Sequence, residues 1–130
     1  MKSHYSKEII EHFLHPKHLG KIKNASGVGD TENLRCGDVM RIYIKVKKEK
    51  GKEIIEDVKF ETLGCAAAVA ASDMICELAK GKTLEKALTV GYKNISSKLG
   101  DLPPMKVHCA QLAQTGLKMA IEDYQKKKRQ

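Results

Sequence analysis

The chain has 130 residues, 42% hydrophobic and 31% charged, with no Trp and two Phe, which suits one soluble domain with a modest core. No stretch approaches the roughly 20 apolar residues that span a bilayer, and Lys plus Arg exceed Asp plus Glu by 24 to 16, a net charge of +8. The positive charge is spread along the chain, with one dense run, KKKR, at 126–129. No basic stretch is interleaved with stacking aromatics, so nucleic-acid binding is not expected, and attraction to acidic protein partners accounts for the charge equally well.

In chain order, residues 5–15, YSKEIIEHFLH, place Ile9, Ile10, Phe13 and Leu14 at helical spacing, and Pro16 ends the pattern. The N-terminus enters this helix without the apolar core of a signal peptide, which predicts a cytoplasmic protein whose thiols stay reduced. His12, His15 and His18 straddle the helix end and are expected on a solvated face. The stretch HLGKIKNASGVGDTENLRCGD, residues 18–38, reads as a long loop with room for one short strand. From Met40 the period is two: Met40, Ile42, Ile44 and Val46 on one face, Arg41, Tyr43, Lys45 and Lys47 on the other. KEKGKE supplies a turn, and IIEDVKFETL alternates again through Val58, Phe60 and Thr62, which makes an antiparallel hairpin.

After Gly64 the character changes. CAAAVAASDMICELAKG is an alanine-rich helix closed by Gly81; Thr83 caps a further short helix, and another is expected around 94–99. The last helix runs from about Val107 to Tyr124, with Ala110, Ala113, Leu117, Ala120, Ile121 and Tyr124 as its buried stripe. The order predicts an α+β fold: a small antiparallel sheet, hairpin plus a third short strand, with helices packed on one side. One domain is expected over 1–125, with a disordered basic tail over 126–130.

Four cysteines in a reducing compartment point to metal binding, reactivity or burial rather than disulfides. Cys36, Cys65 and Cys109 sit at element boundaries beside Gly, Pro or polar residues (Asp38, His108). Cys65 and Cys109 fall at predicted helix N-termini, where the dipole favours the thiolate. Cys76 lies three helical turns beyond Cys65, roughly 16 Å along the axis, and among Ile75 and Leu78 it reads as a core thiol. For the other three, inert burial, a redox dithiol and a structural zinc site with Asp38 or His108 all remain open on spacing alone. The residues themselves narrow the field only to a three-thiolate metal or sulfur site.

CGDVM, GCAAAVAAS and LPPMKVHCAQLA, in this order and spacing, resemble the IscU family of iron–sulfur cluster assembly scaffolds, also seen as the N-terminal part of NifU (the SufE/NifU superfamily). The resemblance runs from YSKEIIEHFLHPKHLG to GLKMAIEDY, and the absence of an insertion between the second and third blocks favours the IscU type over the SufU type. It implies a non-catalytic scaffold on which a [2Fe–2S] cluster is assembled from iron and desulfurase-derived sulfur and passed to apo-proteins. It assigns cluster or metal ligation to Cys36, Asp38, Cys65, His108 and Cys109, and makes Cys109 the acceptor of persulfide sulfur from a cysteine desulfurase. It also implies frataxin-like and ferredoxin partners, and a segment Leu102-Pro103-Pro104-Met105-Lys106 grasped by an Hsp70-type chaperone and its co-chaperone. The chain would act as a monomer or homodimer, and zinc is the alternative occupant of the same donors.

Departures from the family pattern are Met105 where Val is usual, Ala66 where Gly is common, and GVGDTENLR before Cys36. A permanent cluster protein generally uses four thiolates. One carboxylate or imidazole in their place is a harder, weaker ligand on iron and a natural point of exchange, the role expected of Asp38. Gly37 and Gly64 would let the backbone turn, and Lys106 and Arg35 would offset the charge of the thiolates.

Overall fold

The computed structural model describes residues 7–33, 38–64, 66–90 and 107–128. The alternating runs form strands β2 (Asp38–Glu49) and β3 (Lys52–Leu63), and the Gly-rich stretch before them contributes β1 (Gly27–Asn33). The sheet is antiparallel in the order β1-β2-β3. Met40, Ile42 and Ile44 are fully buried beneath the helices; each contributes about 1.5–3 kcal/mol relative to exposure. The hairpin reverses at Lys50 (φ 52) and Gly51 (φ 79), the two-residue turn with both φ positive, whose twist matches that of the flanking strands.

The register runs from Val39 opposite Leu63 to Glu49 opposite Lys52, and slips between Lys45, opposite Asp57, and Val46, opposite Ile55. Glu56 is the extra residue of this bulge. Ile55 and Val58, three apart, are therefore both fully buried, a phase jump that strict alternation does not foresee. Tyr43, expected on the solvent face, is only 7% exposed. Its register neighbours Val28 and Lys59 flank it, and its hydroxyl donates to Glu61 at 2.5 Å.

Among the described residues four helices accompany the sheet: α1 (Lys7–Leu14), α2 (Ala66–Ala79), α3 (Leu84–Ala87) and α4 (Val107–Lys128). α4 lies over β1 and β2, α2 lies over β3 beside α4, and α1 packs on α2. The α4 backbone sits directly on β1: a Cβ at Gly27 would overlap the Ala120 carbonyl, and one at Gly29 the Gly116 carbonyl. Gly116 in turn makes room for Ile42, whose Cδ1 would lie 3.1 Å from an added Cβ. The outer edge of β1 is tied down by Val28 N–H, which donates to Asp123 Oδ2 at 2.9 Å.

α2 stops before Gly81 (φ 85), whose N–H donates to the Ile55 carbonyl at 2.8 Å. Thr83 caps α3, its hydroxyl accepting from Lys86 N–H at 3.2 Å. The expected disordered tail is corrected over 126–128, where α4 continues as helix. Lys127 pairs with Asp123 one turn back (2.9 Å), Lys128 reaches Glu53 on β3 (3.0 Å), and Tyr124 also donates to Glu53. The short helix expected around 94–99 and residues 129–130 lie outside the described residues.

Candidate functional site

Three segments carry the expected donors, and the described residues flanking the first two, with the start of α4, gather at one end of the sheet. Asn33 pairs with Asp38, so the connection 34–37, which contains Cys36 and Gly37, is bounded by a single cross-strand pair. Leu63 pairs with Val39, and β3 therefore finishes beside the start of β2. Exposed Gly64 follows, and α2 begins at Ala66, with Cys65 the single residue between them. α2 starts at this end of the sheet: Ser72 Oγ lies 3.2 Å from Met40 Sδ, near the beginning of β2, whereas its other end meets Ile55 through Gly81.

α4 arrives antiparallel to β1. Ala120 and Tyr124 lie over Gly27, Gly116 lies over Gly29, and Thr31 Oγ1 donates to the Leu112 carbonyl at 3.3 Å. At 3.6 residues per turn, the turn before Leu112 holds His108 and Cys109, so the start of α4 reaches the Asn33–Asp38 end. Cys109 is the third residue of α4, within the first turn, whose backbone N–H groups lack intrahelical partners. Cys36, Gly37, Cys65, Arg35 and the segment Leu102-Pro103-Pro104-Met105-Lys106 lie outside the described residues, as do the side chains of Asp38, His108 and Cys109. Among the described residues no group of three or more His, Cys, Asp or Glu is placed to hold a metal ion.

The open face of the sheet at this end is partly apolar. Val39 and Leu63, directly opposed, are 45% and 75% exposed. With Asp30, Arg41, Glu61 and Thr62 they line an open hollow of about 500 Å³. Arg41 grips Asp30 through Nε at 2.5 Å and through a second guanidinium nitrogen at 3.1 Å, which holds the guanidinium charged.

Cys76 is fully buried, as its spacing predicts, and burial, with Asp73 and Asp57 nearby, pushes its thiol well above the usual range. The solvated-histidine expectation is corrected at two of three positions. His15 is exposed, but His18 is buried, its N–H donating to Asp73 Oδ1 at 2.9 Å and its Nδ1 lying 3.2 Å from the Val58 carbonyl. His12 Nδ1 lies 2.6 Å from Asp73 Oδ2. The signal missed in the sequence was Asp73 itself: an acid among the buried residues Ala70, Ala71, Met74 and Ile75 must find partners, and both come from residues 12–18.

A three-stranded antiparallel sheet with helices on one face, and with the ends of β1 and β3 gathered beside the starts of β2, α2 and α4, is an α+β arrangement of the NifU/IscU class. The sequence profile of the NifU-like N terminal domain matches residues 4–130, and the chain belongs to that family. It is 50% identical over 123 residues to the iron-sulfur cluster assembly scaffold protein IscU 1 of Archaeoglobus fulgidus, covering 95% of this chain and 78% of that one. It is 44% identical over 127 residues to the IscU scaffold protein of Azotobacter vinelandii, covering 95% and 96%. Among solved structures it resembles a candidate SUF-system cluster assembly scaffold from Fervidobacterium islandicum (TM-score 0.70, 28% identity, covering 91% and 96%). A NifU-like N-terminal protein from Brucella abortus shares the fold (TM-score 0.65, 16% identity, covering 95% and 94%). No helix among the described residues is long and apolar enough to cross a membrane.

Proposed function

We propose that this chain is an iron–sulfur cluster assembly scaffold: it receives iron and sulfur as substrates, holds the nascent [2Fe–2S] cluster, and hands it to apo-proteins in the cytoplasm. One observation supports the reading above others: the residues flanking Cys36, Cys65 and Cys109 end or begin their elements at one pole of the sheet, where β2 starts with Asp38. The relatives quoted above are named for the same task. The working unit is a single domain over residues 1–125, and it assembles without turning over a substrate of its own.

Sulfur enters at Cys109. Its thiolate attacks the outer sulfur of a cysteine desulfurase persulfide; the donor S–S bond breaks, the donor cysteine leaves as thiolate, and Cys109 carries the persulfide. Two electrons from a ferredoxin-class reductant then cleave that S–S bond and release sulfide to iron. Cys36, Cys65 and Cys109 supply soft thiolates. Asp38 or His108 supplies the fourth, harder donor, where an incoming ligand from the apo-protein displaces the scaffold most easily. Lys106 offsets the negative charge, Gly37 and Gly64 give the backbone room, and a frataxin-like protein is a further partner. The segment Leu102–Lys106 is what an Hsp70-type chaperone and its co-chaperone engage.

Anaerobic incubation with ferrous iron and a sulfide source tests this reading. Visible sulfur-to-iron charge-transfer bands are expected, and Asp38→Ala should retain them longer than wild type when an apo-ferredoxin is added. Zinc retained with no such bands would establish the zinc alternative, and faster cluster loss from Asp38→Ala would remove the labile-ligand role.

A further inference from the structure

Lysines scattered in the sequence collect at the end of the molecule remote from Asp38. The twelve residues of β2, from Asp38 to Glu49, separate Asp38 from this hairpin tip, roughly 35 Å at strand rise. The tip carries Lys47, Lys48, Lys50 and Lys52, and the last turn of α4 joins it through the bonds of Tyr124 and Lys128 to Glu53. Segments 45–53 and 122–128 hold eight lysines against four carboxylates, half of the chain's net +8.

Three of those carboxylates are already engaged: Glu49 with Lys47 (3.4 Å), Asp123 with Lys127 (2.9 Å), and Glu53 with Lys128 and Tyr124. Lys48, Lys50, Lys52 and Lys126 are exposed and form no ion pair with any described residue. Of these four, Lys52 lines a hollow of about 400 Å³, together with Glu53, Thr83, Glu85, Lys86 and Gln125.

We propose that this lysine-rich pole is a docking surface for an acidic segment of a partner protein, a tether that leaves the opposite pole free for chemistry. The four lysines outside the ion pairs, with a surplus of four positive charges over the two segments, supply attraction and orientation. The nearby aromatic ring, Tyr124, is tied to Glu53, so among the described residues no free ring accompanies the charge as a base-stacking platform, which favours a protein segment over nucleic acid. The proposal stands apart from the cluster reading, since none of its residues belongs to the donor set.

The test compares full-length wild type with two variants of equal net charge. The pole variant carries Lys48→Gln, Lys50→Gln, Lys52→Gln and Lys126→Gln. The control carries Lys7→Gln, Lys17→Gln, Lys21→Gln and Lys118→Gln. A fluorescent deca-glutamate peptide and a single-stranded decanucleotide are titrated at low salt, with thermal unfolding confirming that both variants fold. The peptide should bind wild type, weaken about tenfold or more with the pole variant, and change less than about twofold with the control. Equal weakening in both variants, no peptide binding by wild type, or preference for the decanucleotide over the peptide would overturn the proposal.

Discussion

Asp73 sits fully buried in α2, and each of its oxygens has a partner: the His18 N–H on one, the His12 ring on the other. A buried carboxylate that lost either partner would carry an uncompensated desolvation penalty. Removing the carboxylate leaves the His18 amide and the His12 ring without an acceptor. Asp73→Ala should therefore lower unfolding stability by about 2–4 kcal/mol in urea titration, with Asp73→Asn intermediate because its carbonyl oxygen still accepts from His18. A change under about 0.5 kcal/mol in Asp73→Ala would show that this clasp does not anchor α1 to α2. Nothing local in the sequence pairs residue 12 with residue 73, which is why the histidines read as solvated. Cys76, by contrast, was legible, because its burial follows from helical periodicity alone.

At the scale of elements, the hairpin was legible and β1 only barely so. Met40, Ile42 and Ile44 announce β2 by period-two burial, but GVGDTEN offers no apolar alternation. It becomes a strand because β2 pairs with it and because Gly27 and Gly29 admit the α4 backbone at a distance no side chain would allow. Gly29→Ala should therefore destabilise by about 3 kcal/mol, since the clash is with backbone and cannot be relieved by a rotamer change; an unchanged urea midpoint would contradict this packing. The bulge after Lys45 was invisible for a related reason: it is a property of the strand pair, while alternation is read on one strand.

The end of α4 also escaped the sequence reading, because its ties to Glu53 are tertiary. Partial burial and the Glu53 carboxylate push the Tyr124 phenol up to about 12, above its unfolded value near 10. The neutral phenol's contribution is thus fully present below about pH 10 and lost as pH rises toward about 12. Hydrogen bonds from Tyr124 and Lys128 hold Glu53 below its usual range, so its contribution is lost at the acid end. Tyr124→Phe should cost about 1 kcal/mol at neutral pH and flatten the stability loss between pH 10 and 12. An alkaline slope identical to wild type would rule out this contact as its source.

Over the whole molecule, Asp38 and the start of α4 lie at one end of the sheet, and Lys47, Lys48, Lys50, Lys52 and Lys126 at the other. The family was legible because the cysteine motifs recur along the whole chain, and its profile matches residues 4–130; the lysine cluster was not, because only the fold brings residues 47–52 and 126 together. The central claim is that Cys36, Cys65 and Cys109 share one centre with Asp38. Anaerobic titration with cobalt(II) tests it most directly, since thiolate-to-cobalt charge transfer scales with the number of sulfur ligands. The account predicts one cobalt per chain, with charge-transfer intensity lowered by each of Cys36→Ser, Cys65→Ser and Cys109→Ser and unaltered by Cys76→Ser. Full intensity in any of the first three variants would contradict it.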